Sequence, residues 1–459
     1  MNKISHLILF VLFLAIAPFT ACAEDTLEDE KFLDIQQIET ASGIKIWLVE
    51  DHSLPIISVD FAFRNAGAKQ DPTDKQGLSI LASNTMDEGA GQYNSEAFQQ
   101  LLADHSISLR FASGRDDFSG SLKTLSRKKD IAFELLELAL TTPRFDAEPL
   151  ERMRASNLAR IQRSRAKPEW MAARLMNDIA YGNHPYAQNS GGTLTTLQNI
   201  TADDLNTFVK DRLALDNLVI AVVGDITPED LSQTLENVFG KLPKTAALKD
   251  IPDLTLKNTN TTTLYAHDIP QTIIRITQAG IDRDDPDFYT ASIMNYILGG
   301  SGFGSRLMEE IREKRGLTYG IYSGLSQANH IDTLNVSTST KNETTREMLD
   351  LIKAEWQKMK NQPVTEAELA DAKSYLIGSM PLSLSSTDNI SSLLLGLQLD
   401  GLPIDYLDQR ADKINAVTQS DISRVAAALL TPDQMITILV GTPENITPTN
   451  IVETLPNVD

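Results

Sequence analysis

Ile200-Thr201-Ala202-Asp203-Asp204-Leu205 is echoed later in the chain by Val417-Thr418-Gln419-Ser420-Asp421-Ile422. In both stretches a threonine precedes a helical pattern and can cap it, and an aspartate in the first turn favours the positive end of the helix. Downstream of the first stretch, Leu218 to Val223 (LVIAVV) reads as a buried strand closing at Gly224. Downstream of the second, a strand closes at Gly441. The interval from threonine to glycine is 23 residues in both places. Upstream, Asp146-Ala147-Glu148-Pro149-Leu150 corresponds to Thr365-Glu366-Ala367-Glu368-Leu369, and the gaps to the later caps are 55 and 53 residues. Matched order and spacing predict an internal duplication.

The remaining patterns fit two αβ halves. Ile44 to Val49 follows a turn at residues 39–43 and is rich in strand formers, and Ile56 to Phe63 alternates as a second strand. A helix is expected over Lys75 to Met86, two strands around Gly114 within 108–122, and a helix over Ile131 to Leu140. A long helix is expected after Phe145, with Asp146 as its N-cap. Residues 241–262 hold prolines, threonines and no periodicity, and read as a linker between an N-terminal domain, 33–240, and a C-terminal domain, 263–446. The second half opens with a strand over Thr272 to Gln278 and a helix near Tyr289 to Leu298.

A chain of 459 residues with 42% hydrophobic and 22% charged residues suits a globular protein of two or three domains. Its net charge of −21 argues against nucleic acid and anionic membrane faces as main partners. Lys3, the apolar run Leu7 to Ala17 and Ala21-Cys22-Ala23 read as a signal peptide, residues 1–23, cleaved after Ala23. An uncleaved anchor and lipidation at Cys22 are the alternatives. No other apolar run is long enough to span a bilayer, so the mature chain is expected to have no transmembrane span. Cys22 is the only cysteine, so cleavage after Ala23 excludes disulfides and thiolate metal ligands.

Several stretches, in order, resemble the M16 (pitrilysin/insulinase-like) metallopeptidase family. They are Ala66-Gly67-Ala68, Lys75-Gln76-Gly77-Leu78, Thr142-Pro143-Arg144-Phe145 and Tyr181-Gly182-Asn183-His184-Pro185-Tyr186. In the second half they are Ile297 to Leu307 (ILGGSGFGSRL) and Glu310 to Tyr319 (EIREKRGLTY), the latter being the most specific. The resemblance runs from about residue 33 to 446. It implies an α+β fold of two homologous LuxS/MPP-like domains, each a mostly antiparallel sheet flanked by helices, with two such chains, or one of double length, enclosing a chamber.

Catalytic members carry His-x-x-Glu-His on the helix after the Gly-Leu pair, where an i, i+4 spacing puts two imidazoles on one face and the Glu serves as general base. The matching positions are Ile80, Leu81, Ala82, Ser83 and Asn84. Ile80 cannot ligate, Ser83 cannot act as a base at neutral pH, and Asn84 is a poor zinc ligand. The family's third ligand is expected within Leu158-Ala159-Arg160-Ile161, which offers no carboxylate. The six histidines supply no substitute: no two lie within a helical turn, and His184 in its Asn-His-Pro-Tyr turn reads as structural. Asp87 and Glu88 read as a solvated helix end. The resemblance also implies that Arg312 and Tyr319, seven residues apart, complete an active site across the chamber by holding the scissile carbonyl and its oxyanion. A helix from about Ser305, a left-handed cap at Gly316 and a strand over Leu317 to Ser323 would present them. Gly299 to Gly304 lacks the Gly-Lys-Ser/Thr ending of a phosphate loop and reads as a tight turn before a helix, with Gly299, Gly300 and Gly302 as candidate substrate-chamber residues. Ser108 to Ser113 falls where the family presents a peptide-pairing edge strand, but Arg110 and Phe111 depart from its pattern.

The reading that follows is a zinc-less subunit in the periplasm that forms a heterodimer with a zinc-bearing M16 subunit. The chain would bind no cofactor itself, zinc would sit in the partner, and Arg312, Tyr319 and half of the chamber would act on a peptide substrate. Two further readings stand beside it: a non-enzymatic peptide-binding or scaffold protein on the same fold, and a stand-alone peptidase with an unforeseen metal site.

Overall fold

A computed structural model describes residues 31–459; the signal-peptide and Cys22 readings lie outside the described residues. The first half forms β1 (Gln36–Glu39), β2 (Lys45–Glu50), β3 (Ile56–Phe63), β4 (Ser108–Ser113), β5 (Phe118–Leu125) and β6 (Leu218–Gly224). Its helices are α1 (Leu78–Ser83), α2 (Ser95–Asp104), α3 (Lys129–Thr141), α4 (Ala147–Arg165), α5 (Pro168–Tyr181), α6 (Leu194–Gln198), α7 (Ala202–Arg212) and α8 (Pro228–Phe239). The second half forms β7 (Thr261–Ala266), β8 (Gln271–Ala279), β9 (Ile321–Ala328), β10 (Ile331–Lys341), β11 (Ile436–Gly441) and β12 (Asn450–Val452). Its helices are α9 (Phe288–Asn295), α10 (Thr345–Asn361), α11 (Glu366–Gly378), α12 (Thr387–Leu399), α13 (Tyr406–Ala416) and α14 (Gln419–Leu429).

The two sheets have one plan. The strand orders are β1-β2-β6-β3-β5-β4 and β12-β7-β11-β8-β10-β9. In each repeat one strand, β6 or β11, inserts parallel to the first long strand and antiparallel to the next. Both inserted strands end in a glycine of positive φ, Gly224 and Gly441. The capping threonines are equivalent too. Thr201 and Asp204 form a reciprocal capping box on α7, as Thr418 and Asp421 do on α14. Only the outermost strand differs: β1 is antiparallel to β2, whereas β12 is parallel to β7. The architecture is α+β with two duplicated, mostly antiparallel sheets.

The inserted strands show why their sequences are apolar throughout rather than alternating. One face of β6 (Ile220, Val222) joins the core of its own half with Phe61, Phe63 and Phe208. The other face (Ala221, Val223) meets Leu394, Leu395 and Leu397 of α12, a helix of the second half. The exchange is reciprocal. Ile436, Ile438 and Val440 of β11 pack against Met171, Ala172 and Leu175 of α5, a helix of the first half. Each fully buried Leu, Ile or Val in these layers contributes about 1.5–3 kcal/mol of transfer free energy. Polar contacts fix the α12 register: Ser58 Oγ donates to Asp388 (2.6 Å), Lys123 pairs with Asp388 (2.7 Å), and Ser391 and Ser392 donate to Asp60. Residues Leu33–Asp459 accordingly form one compact unit.

Three local expectations need correction. The helix expected over 75–86 is only α1, because Gly77 takes a left-handed φ of 91° and separates it from the 3-10 turn Thr73–Lys75. That close turn requires glycine, since a Cβ there would lie 2.9 Å from the backbone of Gly191 and Gly192. Asp146 does occupy the N-cap of α4, but its carboxylate caps nothing and instead pairs with Arg144 (2.6 Å). The strand expected from Leu317 begins only at Ile321. Thr318 Oγ1 accepts from the Gly320 N–H (3.1 Å) and holds the preceding residues out of the ladder.

Candidate functional site

The helix α1 is held by a buried ion pair. Arg212 at the end of α7 reaches Asp71 (2.9 Å) and donates to the Gly67 carbonyl (3.1 Å), while its guanidinium stacks on Phe208. Asp71 accepts from both the backbone N–H and the hydroxyl of Ser79 on α1. This fixes the loop of the Ala66-Gly67-Ala68 motif and the first turn of the helix together.

On α1, Ile80 and Asn84 are half-buried and Ser83 is buried. Ser83 Oγ donates to the Ile80 carbonyl (2.9 Å), so its hydroxyl is spent within the helix. Asn84 Nδ2 donates to Asn157 Oδ1 on α4 (2.9 Å). Within the stretch expected to hold the third ligand, Ile161 is buried in one core with Leu81 and Ala82 of α1, and Asn157, one turn earlier, makes the polar contact with Asn84. The buried face of α4 runs Arg154, Asn157, Ile161, and the 3.6-residue period selects its members. Asn157 is buried, and its Nδ2 has no partner among the described residues. An isoleucine, a serine and two amides do not fit zinc, which takes imidazole, thiolate or carboxylate donors. Among the described residues no group of three or more His, Cys, Asp or Glu is arranged to hold a metal. Asp87 and Glu88, expected to be solvated, are both half-buried. Glu88 is tied to Arg152 and Ser95, and burial pushes the Asp87 carboxyl up to about 6.

His184 bridges rather than ligates. Its Nδ1 accepts from the Tyr186 N–H (3.2 Å), its Nε2 donates to the Pro252 carbonyl (2.9 Å), and burial lowers its pKa. His330, from the turn between β9 and β10, packs beside both rings and contacts Lys69 Nζ (3.2 Å), so this cluster joins the two halves.

In the second half, the chain after α9 is π-wound over Tyr296–Gly300, makes a 3-10 turn at Gly302–Gly304, and is π-wound again over Met308–Glu313. Such wide turns recur at functional sites. Ser305 separates them, and its hydroxyl accepts from the Met308 N–H (3.4 Å). Of the three candidate glycines, Gly300 is exposed and Gly302 half-buried, whereas Gly299 is buried; a Cβ there would meet Ser323 Oγ at 2.4 Å. Gly299 is thus a packing residue between this segment and β9, a correction to its reading as a chamber residue.

Arg312 lies in the second π-wound segment. Its guanidinium sits 4.4 Å from the ring centroid of Phe303, itself 69% exposed, and its only ionic contact among the described residues is Glu313 at 3.5 Å. Gly316, at φ 66°, turns the chain left-handed, with its N–H bonded to the Arg312 carbonyl (2.8 Å). Tyr319 follows in the connector to β9. It is 86% exposed, and its hydroxyl has no partner among the described residues. No hydrogen bond or ion pair among the described residues joins Arg312 or Tyr319 to α1: each half presents its own part separately. The segment is anchored by Arg306, which makes a bidentate pair with Glu368 of α11 (2.7 and 2.9 Å). That guanidinium, with the capping Thr365, holds the Glu368 carboxyl at about 2, below its ordinary value of 4.5. A depressed carboxylate contributes stability above its unfolded pKa and loses it as pH falls through the folded one. Urea titrations of wild type and Glu368→Gln should therefore differ most at neutral pH and converge as pH falls from about 4.5 towards 2.

Comparison with known proteins agrees with this geometry. Residues 57–194 match the family model of insulinase (peptidase family M16), and residues 199–376 match that of the peptidase M16 inactive domain. The crystal structure of a peptidase M16 inactive domain from Pseudomonas fluorescens is 31% identical, aligns over 91% of this chain and 100% of its own, and superposes with a TM-score of 0.84. The non-peptidase homolog YmxG of Helicobacter pylori is 27% identical over 84% of this chain and 89% of its own. The uncharacterized zinc protease YmxG of Bacillus subtilis is 22% identical over 88% and 98% respectively. The duplicated sheets, the Gly-rich segment leading to Arg312, and an alignment above 30% identity over nine-tenths of the sequence make this chain a member of the M16 peptidase family.

Proposed function

We propose that this chain is the zinc-less subunit of a two-chain M16 peptidase, supplying Arg312, Tyr319 and half of a substrate chamber to a partner that holds the zinc and the general base. One observation carries the reading: Tyr319 stands 86% exposed with nothing among the described residues to bond, seven residues after an Arg312 that lies over Phe303, while α1 and its cap offer Ile80, Ser83 and Asn84 where a catalytic chain needs ligands and a base. A phenol and a guanidinium are donors, suited to a peptide carbonyl and the charge that develops on it. Dividing the donors from the metal between two chains leaves neither complete, because only contacts made in the transition state accelerate the chemistry. The relatives support loss of independent activity: one is named a non-peptidase homolog and another an inactive domain. In this reading residues 1–23 are a leader that sends the complex to the periplasm, released by cleavage after Ala23 or held by a lipid at Cys22, and the intact mass of the exported protein distinguishes these outcomes.

The test is peptidase activity on a mixed peptide library, with this chain alone, a zinc-bearing relative alone, and both together. Activity confined to the mixture supports the division of labour. A non-enzymatic role on the same fold is the second reading, favoured by the Asn84–Asn157 amide pair at the degenerate site. Peptide retention without hydrolysis in any combination would establish it, and metal-dependent hydrolysis by this chain alone would overturn both.

A further inference from the structure

The duplication exposes a charged group with no assigned task. In the register of each repeat, Asp60 on β3 lies opposite Ala221, three residues before Gly224, and Arg275 on β8 lies opposite Ile438, three residues before Gly441. They are equivalent positions on the sheet faces covered by the exchanged helices. Asp60 is satisfied there by Ser391 and Ser392 of α12. Arg275 is not. Its covering helix, α5, brings Met176 to the same groove, and among the described residues no hydrogen bond or ion pair reaches the guanidinium; its Nε is shielded from water and unpartnered. Glu169 in the first turn of α5 acts on it only at a distance, and burial draws its pKa down.

The surroundings are those of a built recess. Arg275 lines a groove of about 310 Å³ with Met176, Tyr322, Ser326, Asn335 and Ser337. Ser337 pairs with Arg275 on one side and with Tyr322 on the other, so these three stand in one row across β8, β10 and β9. Strand spacing puts Tyr322 about 10 Å from Arg275. The hydroxyls of Tyr322, Ser326 and Ser337 have no partners among the described residues, and β9, the edge strand of this sheet, is the strand that Tyr319 leads into. A partly buried guanidinium lacking a counter-charge is costly to keep unless an anion completes it. One cation among neutral donors balances a single negative charge, and the net charge of −21 disfavours polyanions. A carboxylate matches the guanidinium in plane and can accept two bonds at once.

We propose that this groove is a carboxylate subsite, in which Arg275, flanked by Tyr322 and Ser337, receives an acidic side chain or the C-terminal carboxylate of a bound peptide. It rests on the reading of this chain as a peptide-handling subunit and names the substrate class that the second half selects. The experiment uses the purified mature chain and four otherwise matched random peptide pools: internal Glu or Gln, each with a free or an amidated C-terminus. Retained peptides are quantified by mass spectrometry. The Glu pools, the free-acid pools or both are expected to be retained about tenfold over the Gln-amide pool, the contrast naming the source of the carboxylate. Arg275→Gln should abolish the preference, while exchange of the exposed Arg346 on α10 for Gln leaves it intact. Melting of Arg275→Gln guards against misfolding: loss of an uncompensated charge leaves the melting temperature unchanged or higher, and a marked fall would make Arg275 a structural residue and overturn the proposal. Peptides retained without carboxylate preference would overturn the subsite alone; no retention of any pool would overturn the peptide-handling reading with it.

Discussion

Replacing Arg312 by Ala, or Tyr319 by Phe, is expected to lower peptide turnover by the two-chain mixture by about 10²–10³-fold, the usual cost of deleting one donor to a developing oxyanion. The loss should fall on kcat more than on KM, since a contact tightened in the transition state contributes little to ground-state binding. Stability should be almost unaffected for Tyr319→Phe, because the ring is exposed and its hydroxyl bonds nothing in this chain. Steady-state kinetics on a peptide cleaved by the mixture, with thermal melts of each variant, checks both parts. Turnover at the wild-type level with either variant would remove these residues from the chemistry.

The second large effect is on folding. Asp71→Ala leaves Arg212 buried without its counter-charge and should cost about 3–5 kcal/mol. Arg212→Met should cost a similar amount by stranding Asp71, although Ser79 still donates two bonds to it. The double variant, Asp71→Ala with Arg212→Met, should cost clearly less than the sum, because no unpaired charge is left in the core. Urea denaturation of the four proteins closes the cycle. Additive losses would mean that the two side chains act independently of their ion pair. The pair lies under the loop and helix that carry the degenerate positions, so its retention keeps α1 in place although α1 no longer carries ligands.

The parts of this fold that are local could be read from the sequence. Thr201 and Thr418 cap through chemistry confined to four residues, and the continuous apolar runs of β6 and β11 announce strands covered on both faces. Where the reading failed, a distant contact decided. Gly77 shortens α1 because the backbone at Gly191 and Gly192 passes close to it, and Gly299 is buried because Ser323 fills the space beside it. Asn157 gives no signal of its own in the sequence, because its role is set by the distant contact with Asn84. Tyr319 falls outside the strand expected to carry it, because a hydroxyl-mediated turn at Thr318 and Gly320 delays the ladder to Ile321. Arg275 gave no signal at all, since one arginine in an alternating strand reads as an exposed position. Nor could the exchange of α5 and α12 be foreseen: an apolar stripe records that a helix is covered, not by which sheet.

That exchange sets a timetable for biosynthesis. When β6 emerges from the ribosome, the face bearing Ala221 and Val223 has no cover, and its cover, α12, is not made until roughly 160 residues later. The N-terminal half therefore waits, with an apolar sheet face uncovered, until α12 has been made, and closing so long a loop delays the native pairing further. A nascent chain of this design depends on being shielded from its neighbours until α12 arrives, and the two halves reach their finished state as one event.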